Sequence, residues 1–139
     1  GRAWNVSCGV WHTAAVTEYG QVVTWGTGQV GQVGHGDKNT CLRPRKVTGF
    51  TLEFKSEVGA EEPVCAVACG QLHTLALTAG GDVFAWGKGE LGQLGLGSDP
   101  NGPINSLRPK RIQGLSLVVS VAAGRLHSAA VTLGGDLYT

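Results

Sequence analysis

Small and β-branched residues gather in short runs, and the runs recur along the chain. Residues 6–8, Val-Ser-Cys, open the first set. Residues 12–17, His-Thr-Ala-Ala-Val-Thr, follow, and then residues 21–25, Gln-Val-Val-Thr-Trp. Runs this short, bounded by turn residues, read as strands. The turn at Glu18-Tyr19-Gly20 has counterparts with Gly80-Gly81 and Gly134-Gly135, which suits a hairpin needing positive φ. A weaker fourth strand is predicted at Arg45-Lys46-Val47, after Pro44. In the third run one face carries Val23 and Trp25, matched later by Phe84 and Trp86, and by Tyr138. The opposite face carries Val22 and Thr24, Val83 and Ala85, or Leu137 and Thr139. Neither face is charged. The pattern therefore predicts sheets covered on both sides, the large face of one resting on the small face of the next.

The runs belong to an internal repeat. Residues 6–36, 67–97 and 121–139 align without gaps. Gly9, Gly70 and Gly124 coincide, as do His12, His73 and His127, and Trp25 matches Trp86. A second block, Leu-Arg-Pro-Arg-Lys-Val at 42–47, returns as Leu-Arg-Pro-Lys-Arg-Ile at 107–112. The repeats are set at about 6–66, 67–120 and 121–139. Variable stretches lie between the constant blocks, a long one at 50–63 and a shorter one at 98–106, as surface connections do. Four short strands per repeat predict an all-β chain. The expected fold is a partial β-propeller of stacked four-stranded antiparallel blades, with residues 1–139 in one propeller domain.

Composition agrees with that reading. Glycine supplies 23 of 139 residues, against a usual share of roughly 7%. There is no Gly-X-Y period and apolar residues are interspersed, which excludes collagen and disorder and leaves a fold with many tight turns. The net charge is +1, so nothing global points to a nucleic-acid binder or a polybasic membrane anchor. No apolar run is long enough for a membrane-spanning helix. No signal peptide is expected from the residues ahead of the first repeat. The four cysteines lack a regular disulfide framework. They are read as reduced thiols in an intracellular protein, nuclear or cytoplasmic.

Several motifs have a chemical reading and a structural one. Residues 26–31 and 87–92 are literal G-x-G-x-x-G strings after strands. No helical period and no lysine-serine pair follows, so a structural turn is expected rather than a nucleotide site. His12, His73 and His127 share one repeat position, which argues against a single catalytic histidine. Each ring is expected to bond backbone in its own blade. His35 lies in a glycine-rich loop and is expected to be exposed. Cys8 and Cys69 align with Ala123, a slot for a small buried side chain. The Cys65-x-x-x-Cys69 spacing is not that of a zinc knuckle, and Cys41 is isolated. The Asn5-Val6-Ser7 sequon falls on a predicted strand and is read as accidental. No catalytic group, metal or cofactor is expected.

Partner-binding candidates are few. Arg43, Arg45 and Lys46 recur as Arg108, Lys110 and Arg111, a repeated basic stripe. Such a stripe can meet phosphates or an acidic partner; it also serves to keep an edge strand from pairing, the favoured reading. The acidic stretch 53–62 opposes a nucleic-acid role. Trp4 is a candidate exposed anchor, and Trp11, at the position of Leu72 and Leu126, is expected to pack. Loops 51–63 and 98–106 are the first places to seek specificity.

The string V-x-x-G-x-x-H-T, a hairpin, W-G-x-G-x-x-G-Q-L-G and then R-P resembles the repeat of the regulator of chromosome condensation family. The resemblance covers essentially the whole chain, with Val33 in place of Leu and Ser128 in place of Thr. It implies a piece of a seven-bladed propeller, with blade faces at both ends that favour self-association. It implies an interaction module that is not itself an enzyme. It also implies an alternative, guanine-nucleotide exchange on a Ran-like small GTPase. Chromatin or lipid binding through basic loops is a third reading, disfavoured by the near-neutral charge.

Overall fold

The computed structural model describes residues 1–52, 60–97 and 104–139. The described strands are β1 (Ala3–Cys8), β2 (His12–Thr17), β3 (Val22–Gly26), β4 (Cys41–Lys46), β5 (Val64–Cys69), β6 (His73–Thr78), β7 (Val83–Gly87), β8 (Ser106–Arg111), β9 (Val118–Ala123), β10 (Ser128–Thr132) and β11 (Leu137–Tyr138). They form three antiparallel sheets in sequence order: β1-β2-β3-β4, β5-β6-β7-β8, and β9-β10-β11. The fold is all-β, a partial propeller of stacked blades. No helix follows Gly31; the chain there turns at Gly31, Gly34 and Gly36, all with φ near +80 to +85.

The hairpins form because each glycine supplies what an L side chain resists. Gly20, Gly81 and Gly135 have φ of +72, +87 and +89. Each closes the turn by donating its N–H to the carbonyl of Thr17, Thr78 or Thr132.

The fourth strand differs from its expected bounds. β4 begins at Cys41 rather than Arg45 and runs through Pro44. Proline is tolerated because β4 is an edge strand and its pairing with β3 shifts register between Thr24 and Gly26. The first strand is longer than expected too, and it carries a bulge. Ala3 faces Thr17 and Asn5 faces Val16, so Trp4 is the extra residue. The same shift makes Cys65 the extra residue in β5 and Val119 the extra residue in β9.

Strand alternation decides the packing. Ala14, Val16 and Val22 present the small face of the first sheet to Ala76, Phe84 and Trp86 of the second. Phe50, from the connection after β4, meets Phe84 and Trp86 edge-on at 5.4 and 5.8 Å. The other face of the second sheet carries Leu77 and Val83, packed on Leu115, Val118 and Ala130, and Leu75 and Ala85, packed beside Val121 and Ala123. Large-on-small stacking is therefore observed. Trp86 is fully buried and Trp25 only half-buried, because Trp86 has a neighbouring sheet against it.

Candidate macromolecular interaction surface

The repeated polar residues meet between sheets. Thr74 Oγ1 donates to the Gln32 carbonyl at 2.8 Å. Its single proton is thus committed, so the His12 contact at 2.8 Å must run from Nε2–H to Thr74 Oγ1. Trp86 Nε1 donates to the same Gln32 carbonyl at 2.9 Å. The next junction repeats the chain: His73 Nε2–H reaches Ser128 Oγ at 3.0 Å, and Ser128 donates to the Gln93 carbonyl at 2.7 Å. His12 and His73 are thus each held as the Nε2–H tautomer by a hydroxyl of the following sheet. The expected bond to backbone of its own blade is not what forms.

The glycine before each histidine follows from this geometry. A Cβ on Gly9 would collide with the Gly70 carbonyl and the His12 ring, and one on Gly70 with the His73 ring. The glycine-rich loop has a matching task. A Cβ on Gly34 would lie 2.7 Å from Trp86 Nε1, so the loop is flat where the indole covers it. Gln32 Oε1 turns back to its own loop, accepting from Val30 N at 3.1 Å. The G-x-G-x-x-G strings therefore build blade junctions, as the structural reading expected.

Burial holds these imidazoles neutral. Nδ1 of His12 and of His73 is buried without a hydrogen-bond partner. His12 is pushed down to about 4, chiefly by burial and then by the neighbouring His73, partly offset by a hydrogen bond. His73 is lowered too, by burial first. His127, by contrast, is exposed.

Three expectations need correction. His35 is buried rather than exposed; its Nε2–H donates to Thr24 Oγ1 at 3.1 Å, because that hydroxyl itself donates to the Val33 carbonyl. Its pKa is lowered, by burial first and then by Arg45. Trp11 is 60% exposed rather than packed. Cys69 fills its buried slot, donating to the Ser7 carbonyl, and burial pushes its thiol up to about 11. Cys8, at the equivalent position, is exposed, since no described element lies over that face.

The basic stripe is divided by the structure. Arg111 is held by Asp82, through Nε at 2.9 Å and Nη2 at 2.7 Å. Lys46 pairs with Glu61 at 3.4 Å on the surface. Arg43, Arg45, Arg108 and Lys110 are exposed. Arg108 lies across Gly36, where a Cβ would meet its guanidinium, so it also touches the first sheet's loop. Trp4 is 73% exposed at its bulge. Residues 53–59 of the 51–63 loop, most of the acidic stretch, and residues 98–103 of the 98–106 loop lie outside the described residues. The signal missed in the sequence was the bulge: Trp4, Cys65 and Val119 share it although their side chains do not resemble one another.

Among the described residues no helix is long and apolar enough to cross a membrane. A family model described as the regulator of chromosome condensation (RCC1) repeat matches residues 19–77 and 80–131. A second model of that description matches 5–32 and 64–93. The chain is 39% identical to the ultraviolet-B receptor UVR8 of Arabidopsis thaliana over 96% of its own length and 28% of the receptor's. It is 32% identical to the E3 ubiquitin-protein ligase HERC2 of Homo sapiens, over 99% of its length and 4% of the ligase's. The crystal structure of human WBSCR16 superposes with a TM-score of 0.81 at 29% identity, covering 99% of this chain and 32% of that one. Yeast RCC1 (Prp20), in its complex with Kap60, shares the fold, with a TM-score of 0.78 at 24% identity over 96% of this chain and 30% of that one. The chain thus spans about a third or less of each.

Proposed function

We propose, from the premise that the chain belongs to the regulator of chromosome condensation repeat family, that it works as a protein-interaction module within a larger propeller protein. One observation carries this. At both sheet junctions the recurring histidine, hydroxyl and glycine-loop carbonyl, His12–Thr74–Gln32 and His73–Ser128–Gln93, are engaged with one another between sheets. These polar groups fix the frame rather than face a substrate. Binding then falls to what the frame leaves outside: Arg43, Arg45, Lys46, Arg108, Lys110, Arg111 and Trp4, with the loops at 51–63 and 98–106. Repeat units of about 6–66, 67–120 and 121–139 within one domain, an intracellular setting, and association of copies through open sheet faces belong to the same reading.

The reading is tested with the full-length protein and its purified binding partners. Charge reversal at Arg45 and Lys110, both exposed, is expected to weaken a protein partner without shifting the melting temperature. Unchanged affinity after reversal at these sites and replacement of both loops would defeat it. Nucleotide exchange on a small GTPase is a second reading, favoured by the fold shared with yeast RCC1. It requires preferential binding of the partner's nucleotide-free state. A stopped-flow release assay in which the full-length protein gives no acceleration removes it.

A further inference from the structure

The contacts that tie hairpins to sheet connections lay out a continuous exposed rim on one side of the stack. Gly20, in the first hairpin, sits against Pro63, where a Cβ would be 2.7 Å from the proline Cβ. The Pro63 carbonyl accepts from Ala79 N, in the second hairpin, at 2.8 Å. Gly81 of that hairpin sits against Leu117, whose carbonyl accepts from Leu133 N, in the third hairpin, at 2.8 Å. Arg2 plays the same part for Glu18 at 2.9 Å. Two residues beyond each connection stands a bulge residue, Trp4, Cys65 or Val119.

The rim is apolar and stays exposed when sheets stack. Tyr19, Leu117 and Leu133 are 76, 62 and 73% exposed. Pro63, Cys65 and Ala79 are exposed too, although the second sheet is covered on both faces. Exposure here is therefore a property of the position. Leu117 is the one described non-glycine residue with positive φ, at +54. A leucine there is a costly choice. Its carbonyl and backbone contacts would survive in glycine, so the side chain is the part left without a structural task.

Charge selects the partner. Glu18 and Asp136 are exposed on the first and third hairpins, whereas Glu61 is paired with Lys46, Asp82 with Arg111, and Glu62 is buried. Among the described residues the exposed carboxylates of Glu18 and Asp136 thus outnumber the remaining cation on this side, Arg2. We propose that this rim docks a basic amphipathic segment of a partner protein, its apolar side chains on Trp4, Tyr19, Leu117 and Leu133 and its lysines or arginines toward Glu18 and Asp136. The proposal rests on the interaction-module reading, shares Trp4 and Pro63 with it, and adds Tyr19, Leu117, Leu133, Glu18 and Asp136.

The experiment uses a fluorescent peptide of alternating leucine and lysine, with a leucine–glutamate peptide and phosphatidylserine vesicles as the other arms. The chain is expected to bind the first and neither of the others, more weakly as salt rises. Leu117→Gly with Leu133→Ser should weaken binding roughly tenfold. Glycine suits the positive φ, so this variant should melt no lower than the parent, which separates binding from folding. Glu18→Lys with Asp136→Lys should weaken it as well. No binding, equal binding of the two peptides, preference for the vesicles, or rim variants that bind like the parent each overturn the proposal. If charge reversal at Arg45 and Lys110 still abolishes a partner while the rim variants do nothing, the rim fails and the module stands. If neither set alters any binding, both fail.

Discussion

The junction between the first and second sheets and that between the second and third use one plan with different filling. Both contain the histidine–hydroxyl–carbonyl chain. In the first, an indole covers the Gln32 carbonyl beside an aromatic cluster around Phe50; the position equivalent to that indole in the third repeat, next after Thr139, lies outside the sequence. The first also adds two side chains that bond backbone across the gap: Asn5 Oδ1 accepts from Val67 N at 2.9 Å, and Ser7 Oγ from Cys69 N at 3.0 Å. Asn5 and Ser7 correspond to Ala66 and Ala68 in the second sheet, where the same surface packs apolar side chains. The conserved geometry is thus the relay, and the rest of each junction is free to be polar or apolar provided the gap is filled. A half-filled polar version would be worse than either.

Truncating the indole should break the comparison most. Trp86→Ala removes a fully buried side chain and a donor from Gln32, and is expected to cost about 3–5 kcal/mol by urea denaturation. Leu94→Ala, in the second junction, should fall at the lower end of about 2–5 kcal/mol. Equal losses would mean that the buried indole and its bond to Gln32 contribute no more than a buried leucine does.

Acid should act next. His12 sits near 4 in the folded chain, against about 6.5 unfolded. The unfolded state then binds more protons between those values. Stability is complete above about pH 6.5 and is lost as pH falls toward 4, by about 3 kcal/mol for this group. His73 is shifted the same way and adds to the slope. The denaturation midpoint should fall between pH 6.5 and 4, less steeply in His12→Gln. A flat profile would show that the buried rings do not govern the junctions.

The relay hydroxyls should differ by burial. Thr74 is fully buried, so Thr74→Val strands the His12 N–H at about 1–3 kcal/mol. Ser128 is half-buried, and water can replace it; Ser128→Ala should cost about 1 kcal/mol or less. The reverse order, read from the same denaturation curves, would deny the role of water.

The smallest effect should be a coupling. Thr24 and His35 bond each other in the first sheet, and the second carries Ala85 and Leu96 at those places. Thr24→Ala and His35→Leu should each destabilise, and the pair should recover about 0.5–1 kcal/mol of the summed loss in a double-mutant cycle. Strict additivity would mean the two sites adapt independently.

The amino-acid sequence by itself determined the blades. Period-two alternation fixed the faces, glycine at the hairpins fixed the turns, and the recurrence of G-x-x-H fixed the repeat, since these signals are local. It also marked the glycine loop as structural and Trp4 as exposed. What it did not determine is what the repeated residues touch. His12 meets a hydroxyl 62 positions on, one past its own counterpart, and His73 one 55 positions on. No pattern within a repeat reveals a bond made between repeats. The same holds for His35, buried by Thr24, and for Trp11, left outside. The bulges at Trp4, Cys65 and Val119 come from a strand-pairing shift that unlike side chains hide from alignment. Tertiary structure decided these because hydrogen bonding and burial depend on which surfaces approach, and stacking brings together residues that the chain keeps far apart.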